Sequence, residues 1–200
     1  MEKIEENISK GLKLFGTKKS KQIDRHISDK ETPSFVFMMR AANAAKKFLI
    51  FRNAKSVTIF AGKGSNGEDG FCLAALLKIE NISVEIIDLI YKDRVKTKSV
   101  NLCDYLGVIR KRFNLNKIKN TDWYVDAIIG TGLSRELTGN FLKASRFLSS
   151  TKKRKILALD IPTGINASKG VVYKNTVKAS ATLTFLTLKP GLFFDEAVEK

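Results

Sequence analysis

The strongest constraint on this chain is one short stretch, residues 57–69, VTIFAGKGSNGED. Val57, Thr58, Ile59 and Phe60 form a β-branched and aromatic run that suits a buried strand. Gly62, Gly64 and Gly67 follow, and an apolar helical pattern occupies residues 71–79. An α/β chain builds an anion seat from a strand, a glycine turn and a helix. The turn lets backbone N–H groups face the ligand, and the helix N-terminus adds positive potential. The glycines fit G-x-G-x-x-G, with Asp88 ending the next strand where a dinucleotide fold places its ribose-binding acid. Asn66, Glu68, Asp69 and Gly70 argue against that assignment. Two carboxylates in a first helical turn agree with the helix dipole, but they repel a pyrophosphate. They suit a cation, or a polar group that needs an acid or a base, unless Glu68 and Asp69 only cap the helix.

The rest of the chain supplies the setting. Residues 1–17 read as an arm or short helix, and 18–200 as one domain. Helical patterns cover residues 18–28, 32–51, 99–106 and 141–148, the second opening on Thr32 as N-cap and Pro33 in the first position. Strand patterns cover 84–89, 108–109, 123–129, 156–159 and 181–186. Strands alternating with helices predict an α/β fold, a mostly parallel sheet covered on both faces in three layers. Ligands of such sheets bind at the C-terminal strand ends. The loops 62–69 and 130–136, the segment 160–164 and Lys189 all follow strand ends and therefore converge.

Two aspartates stand out in that crevice. Asp126 interrupts the apolar strand WYVDAII, and an isolated carboxylate there is costly unless paired, hydrogen-bonded or bound to a cation. Hard oxygen ligands suit K⁺, Na⁺, Mg²⁺ or Ca²⁺, with Asn66 and Thr163 as neutral partners. Asp160 ends the strand ILAL and precedes Ile161-Pro162, whose fixed φ holds the turn. It is a candidate general acid or base. The alternative is that both aspartates cap neighbouring loops.

Composition narrows the function classes. No apolar run approaches the ~20 residues of a membrane span, and the N-terminus carries no apolar signal region, so the expected location is cytoplasmic. The net charge of +16 favours anionic ligands in general. Its basic residues are dispersed, however, with one tight cluster at 152–155, and no basic stripe is interleaved with aromatics to stack bases. Nucleic acid and membrane are therefore not the expected partners. Cys72 and Cys103 are too few for a disulfide framework or zinc site and read as core. His26, the only histidine, sits beside Asp24 and Arg25 with no nucleophile near it, which argues against Ser-His-Asp chemistry.

The motifs taken together resemble the NAD(P)HX epimerase family, also called the YjeF N-terminal domain. GKGSNGEDG at 62–70 resembles the family's G-x-G-N-N-G-G-D-G, and VDAIIGTGL at 125–133 its V-D-A-x-x-G-x-G-L. DIPTG at 160–164 resembles D-I-P-S-G, and Lys189-Pro190-Gly191 matches a late K-P-G. QIDR at 22–25 and FMMRAA at 37–42 resemble the I-D-R and L-M-E-R-A-G segments. The resemblance spans residues 18–194 and implies a Rossmann-like α/β/α sandwich, a homodimer, and interconversion of the R and S epimers of hydrated NADH or NADPH. A partner dehydratase would consume one epimer. By the same resemblance Ser65, Asn66, Gly67, Glu68 and Asp69, with Gly130, Thr131, Gly132, Leu133, Ser134, Arg135 and Glu136, line the substrate site. The resemblance also implies that Asp160 would contact the hydrated nicotinamide, where it is the expected proton-transfer group, and that Asn66, Asp126 and Thr163 would bind K⁺.

Departures from the pattern carry their own expectations. Ser65 replaces an Asn, Met39 a Glu, and Glu68 a Gly. If that Gly sits at positive φ, Glu68 costs roughly 1–2 kcal/mol of strain. The family continues with another glycine and strand beyond K-P-G, so the sequence is compatible with a fragment of a longer bifunctional chain. A catalytically degenerate module that binds a nucleotide or RNA is the main alternative to an active epimerase. An ordinary NAD-dependent dehydrogenase ranks below both, because neither His26 nor any tyrosine–lysine pair sits at a strand end to manage the proton that accompanies hydride transfer.

Overall fold

The computed structural model describes residues 13–16, 18–20, 22–23, 34–150 and 155–194. Asp24, Arg25 and His26, the Thr32-Pro33 cap, and Lys152 to Arg154 lie outside the described residues. Six strands form one parallel sheet: β1 (Ser56–Ala61), β2 (Ser83–Asp88), β3 (Ile109–Arg112), β4 (Trp123–Ala127), β5 (Lys155–Leu159) and β6 (Ala181–Leu183). Their order is β3-β2-β1-β4-β5-β6, the doubly wound order with its switch point between β1 and β4. Every pairing is parallel, so all strand ends that carry motifs face one way.

Burial explains the layers. Helices α1 (Ser34–Phe51), α2 (Ser65–Ile79) and α3 (Lys98–Tyr105) share one core with one face of the sheet. Within it α2 buries Phe71, Cys72, Leu73, Ala74, Ala75 and Leu77 on nearly all sides, as a helix enclosed by sheet and neighbours does. Ala42, Ala45 and Leu49 turn the smooth side of α1 inward, and α1 packs chiefly on α2. Helix α4 (Gly139–Ser149) covers the other face through Ala144 and Leu148, against Phe60, Tyr124, Ile128 and Ile156. Edge strand β3 reads IRKR, a basic edge of the kind that discourages strand addition. Cys72 and Cys103 are both buried free thiols, and burial pushes Cys103 up to about 12.

Three local differences from the sequence expectations matter for the site. Helix α2 starts at Ser65 rather than at residue 71, because Gly64 at φ 93 turns the chain sharply into it. Glu68 therefore lies inside the helix, absent from the positive-φ positions, and the anticipated strain does not arise. Strand β6 ends at Leu183 rather than 186. Residues 14–15, read from sequence as part of an arm or short helix, pair instead with Leu188, and Phe15 N donates to Leu188 O at 2.8 Å.

Candidate functional site

A cleft of about 590 Å³ opens where β1, β4 and β5 end, closed on one side by the chain after β6 and by the start of α1. The switch point of the sheet is where a doubly wound fold places its ligand. The first wall is the beginning of α2. Gly62 and Gly67 make it possible, because a Cβ on Gly62 would strike Ile128 O and one on Gly67 would strike Gly62 O. The helix start thus presses on the β1 and β4 ends, and Lys63, Gly64, Ser65, Asn66 and Asp69 line the cleft. The second wall is Ile129 to Gly132, after β4.

The floor is made by two tight turns. Asp160, one residue past β5, has φ 70. Ile161 N donates to Leu159 O at 2.9 Å across it, an i to i+2 bond that closes a γ-turn. Leu186 sits at φ 60 in the same kind of turn, closed by Thr187 N donating to Phe185 O at 2.6 Å. A side chain held there costs on the order of 1–3 kcal/mol. Lys189, 2 % exposed, ties the two turns together. Its Nζ donates to Asp160 Oδ1, to Thr184 Oγ1 at 2.9 Å and to Phe185 O at 2.7 Å. All three ammonium donors are therefore used. Asp160 Oδ2 accepts no hydrogen bond from the described residues and lies against Gly130, where a Cβ would crowd it at 2.8 Å.

Asp126 lies behind this floor. It is fully buried, accepting from Thr163 N at 2.8 Å, Thr163 Oγ1 at 2.7 Å and Ile128 N at 3.2 Å. No described Lys or Arg pairs with it, and burial pushes its carboxyl up to about 6. Thr163 Oγ1 also accepts from Ile129 N at 3.1 Å. Asn66 reaches the same segment: with its amide oriented to suit its neighbours, its oxygen accepts from Gly130 N at 3.3 Å and its nitrogen donates to Leu159 O at 3.2 Å. The three residues read as cation ligands thus gather around residues 129 and 130. They supply a single carboxylate, and no cluster of three His, Cys, Asp or Glu residues exists among the described residues. One buried charge among neutral oxygens fits a monovalent cation better than a divalent one.

Other expected site residues lie elsewhere. Glu68 turns away from the cleft, accepting from Thr97 Oγ1 at 2.5 Å and from Ser99 Oγ, with Arg94 3.6 Å away. It fastens α2 to the start of α3. Gly67 is buried in the first turn of α2, against Gly62 O, and is not part of the cleft lining. Leu133 is buried, its carbonyl accepting from Asn166 Nδ2 at 3.1 Å, while Ser134, Arg135 and Glu136 are exposed outside the cleft lining. Asp88, the acid of the dinucleotide fingerprint, is 1 % exposed. Arg94 grips it from Nε at 3.2 Å and Nη2 at 2.8 Å, so no ribose can reach it.

Sequence reasoning missed several lining residues. Phe37, Met38 and Arg40 come from α1, and Phe185 and Leu186 from the turn after β6. The segment FMMRAA carried a signal for the first group. Lys189 is marked in the sequence by its place after a strand end and by the K-P-G match, but its pairing with Asp160 needs the fold. Nothing in the sequence marked Leu186.

Comparison with known proteins agrees with this geometry. A family model described as YjeF-related protein N-terminus matches residues 34–191. The NAD(P)H-hydrate epimerase of Levilactobacillus brevis is 36 % identical over 165 residues, covering 80 % of this chain and 76 % of that protein. The protein of the same name from Oenococcus oeni is 33 % identical over 166 residues, with 80 % and 78 % covered. The Bifunctional NAD(P)H-hydrate repair enzyme Nnr of Coxiella burnetii is 30 % identical over 92 % of this chain, which spans only 38 % of that longer protein. The crystal structure of yeast ynu0, YNL200c, superposes with a TM-score of 0.80 at 20 % identity, covering 90 % of this chain and 83 % of that one. That likeness bears on the fold alone.

Proposed function

We propose that this chain, which belongs to the YjeF-related protein N-terminus family, is an NAD(P)H-hydrate epimerase. It would interconvert the R and S epimers of hydrated NADH or NADPH. The observation that carries this reading is the Asp160 carboxylate at the cleft floor. One oxygen is held by buried Lys189, and the other accepts no hydrogen bond from the described residues.

The substrate's chemistry matches that arrangement. Hydration of a dihydronicotinamide places the hydroxyl on the carbon beside the ring nitrogen. That centre loses its configuration when the hydroxyl proton leaves, the carbon–nitrogen bond opens and the carbon becomes an aldehyde. Asp160 takes the hydroxyl proton and delivers it to the nitrogen, which keeps the bonding pair. Reclosure on the other face of the aldehyde reverses both transfers and yields the opposite epimer. No oxidant or reductant is consumed. A positioned acid–base group contributes about 10²–10⁴-fold to such a step. Lys189 holds the carboxylate in place, and the α2 N-terminus with Lys63 and Arg40 supplies positive potential for the phosphates.

Asn66, Asp126 and Thr163 are the residues that would hold K⁺. Bound there, the ion would supply the positive charge that Asp126 lacks and fix the peptide units at 129 and 130. Of the residues expected at the substrate, this reading retains Ser65, Asn66, Asp69, Gly130, Thr131, Gly132 and Asp160. A dehydratase that consumes one epimer, joined or separate, completes the repair, and the bifunctional Coxiella relative supports that coupling. A cytoplasmic homodimer belongs to the same reading, and its mass in solution, twice 22.3 kDa, is measurable by light scattering.

The test supplies purified R hydrate of NADH, with K⁺ and a dehydratase that consumes only S. Consumption of R well above the spontaneous rate is expected. A spontaneous rate would overturn the assignment.

A further inference from the structure

Five residues other than glycine have positive φ among the described residues: Asn53, Asn81, Asp160, Asn175 and Leu186. Three are asparagines, which tolerate that region. The other two, Asp160 and Leu186, both line the cleft. The chemistry above accounts for Asp160. Leu186 has no such account, and leucine is poorly suited to φ 60. Nor does burial offset the strain, because Leu186 is 57 % exposed.

The turn itself has a clear purpose. Phe185 O, which closes it, is also an acceptor for Lys189 Nζ, and Lys189 holds Asp160. A glycine at 186 would build the same turn without strain. It could not place an apolar side chain beside the Asp160–Lys189 pair. Phe37, Met38 and Ile129 are further apolar members of the same lining. Phosphates and ribose hydroxyls gain nothing from such a surface, whereas the face of a hydrated nicotinamide ring does.

We propose that Leu186 is a substrate-contacting residue, an apolar wall on which the ring lies while its hydroxyl-bearing carbon is at Asp160. The inference rests on the epimerase reading and names how that site recognises its substrate. The wall touches the ring in the ground state and the transition state alike, so its loss should raise KM and leave kcat nearly unchanged.

Steady-state epimerisation and thermal unfolding of Leu186→Gly and Leu186→Met, beside the wild-type chain, test this. Leu186→Gly is expected to melt at or above the wild-type temperature. Its KM should rise about tenfold, within the range for an apolar pocket contact, with kcat within about threefold. Leu186→Met restores apolar reach and should keep KM within about threefold of wild type. An unchanged KM in Leu186→Gly overturns the proposal, and so does a lowered melting temperature, because the turn would then not be strained. A wild-type chain with no turnover would overturn the epimerase reading and this inference with it. Wild-type turnover beside an unchanged Leu186→Gly KM overturns this inference alone.

Discussion

Two strand ends on either side of β1 show what separates a structural carboxylate from a reactive one. At the end of β2, Asp88 is buried and held by Arg94, with Arg110 3.6 Å away. The same Arg94 donates to Gly62 O at 2.8 Å and lies 4.9 Å from the Phe71 ring centroid. Strand, glycine loop and helix are locked together there, and no carboxylate oxygen faces a ligand. At the end of β5, Asp160 also meets a buried cation, but Lys189 takes one oxygen and leaves the other at the cleft. Both ends bring an acid to a strand terminus. The geometry of the cation decides its role: a guanidinium fork occupies both oxygens, whereas an ammonium is a point charge that can serve one.

The sharpest way to break this comparison is to remove the fork. Arg94→Ala strips buried Asp88 of its guanidinium fork, leaving it Ile90 N at 3.0 Å and Arg110 at 3.6 Å, and should cost roughly 3 kcal/mol in urea unfolding. A loss below ~1 kcal/mol would mean that Arg94 does not organise this corner. Lys189→Met should keep the fold but release both turns and lower kcat by about 10–100-fold, a share of what a positioned acid–base group contributes. Unchanged kcat would remove Lys189 from the account.

Asp126 sharpens the comparison because no described Lys or Arg pairs with it. Its folded pKa of about 6 lies above the ordinary 3.8. Between those values the folded chain binds more protons than the unfolded one, so its contribution to stability falls as pH rises from about 4 to about 6 and stays low above that. The loss is on the order of 2–3 kcal/mol. It should appear as a pH-dependent difference between wild type and Asp126→Asn in K⁺-free buffer. Adding K⁺ near pH 7.5 should shrink the difference, and a K⁺-insensitive difference would count against the cation site. The smallest effect is expected outside the cleft lining. Arg135→Ala should change kcat/KM by less than about twofold, as surface substitutions away from a site do, and a tenfold loss would return the 133–136 loop to the substrate.

The sheet and the convergence of its loops were legible because alternating strands and helices leave few topologies. Asp126 and Asp160 were legible because a carboxylate at an apolar strand end is conspicuous. What could not be read was direction. Glu68 sits in the glycine motif, yet one helical turn aims it at Thr97 and Ser99. Leu133 to Glu136 continue a loop whose first residues line the cleft, and the chain simply leaves it. Leu186 owes its place to a backbone angle that leucine composition does not announce.

The most direct test of the central claim compares kcat for Asp160→Asn with wild type on purified R hydrate, with melting temperatures recorded for both. The account predicts a folded variant whose kcat falls about 10²–10⁴-fold, the contribution of a positioned acid–base group. A folded variant that epimerises at the wild-type rate would contradict it and move the proton transfer to another group.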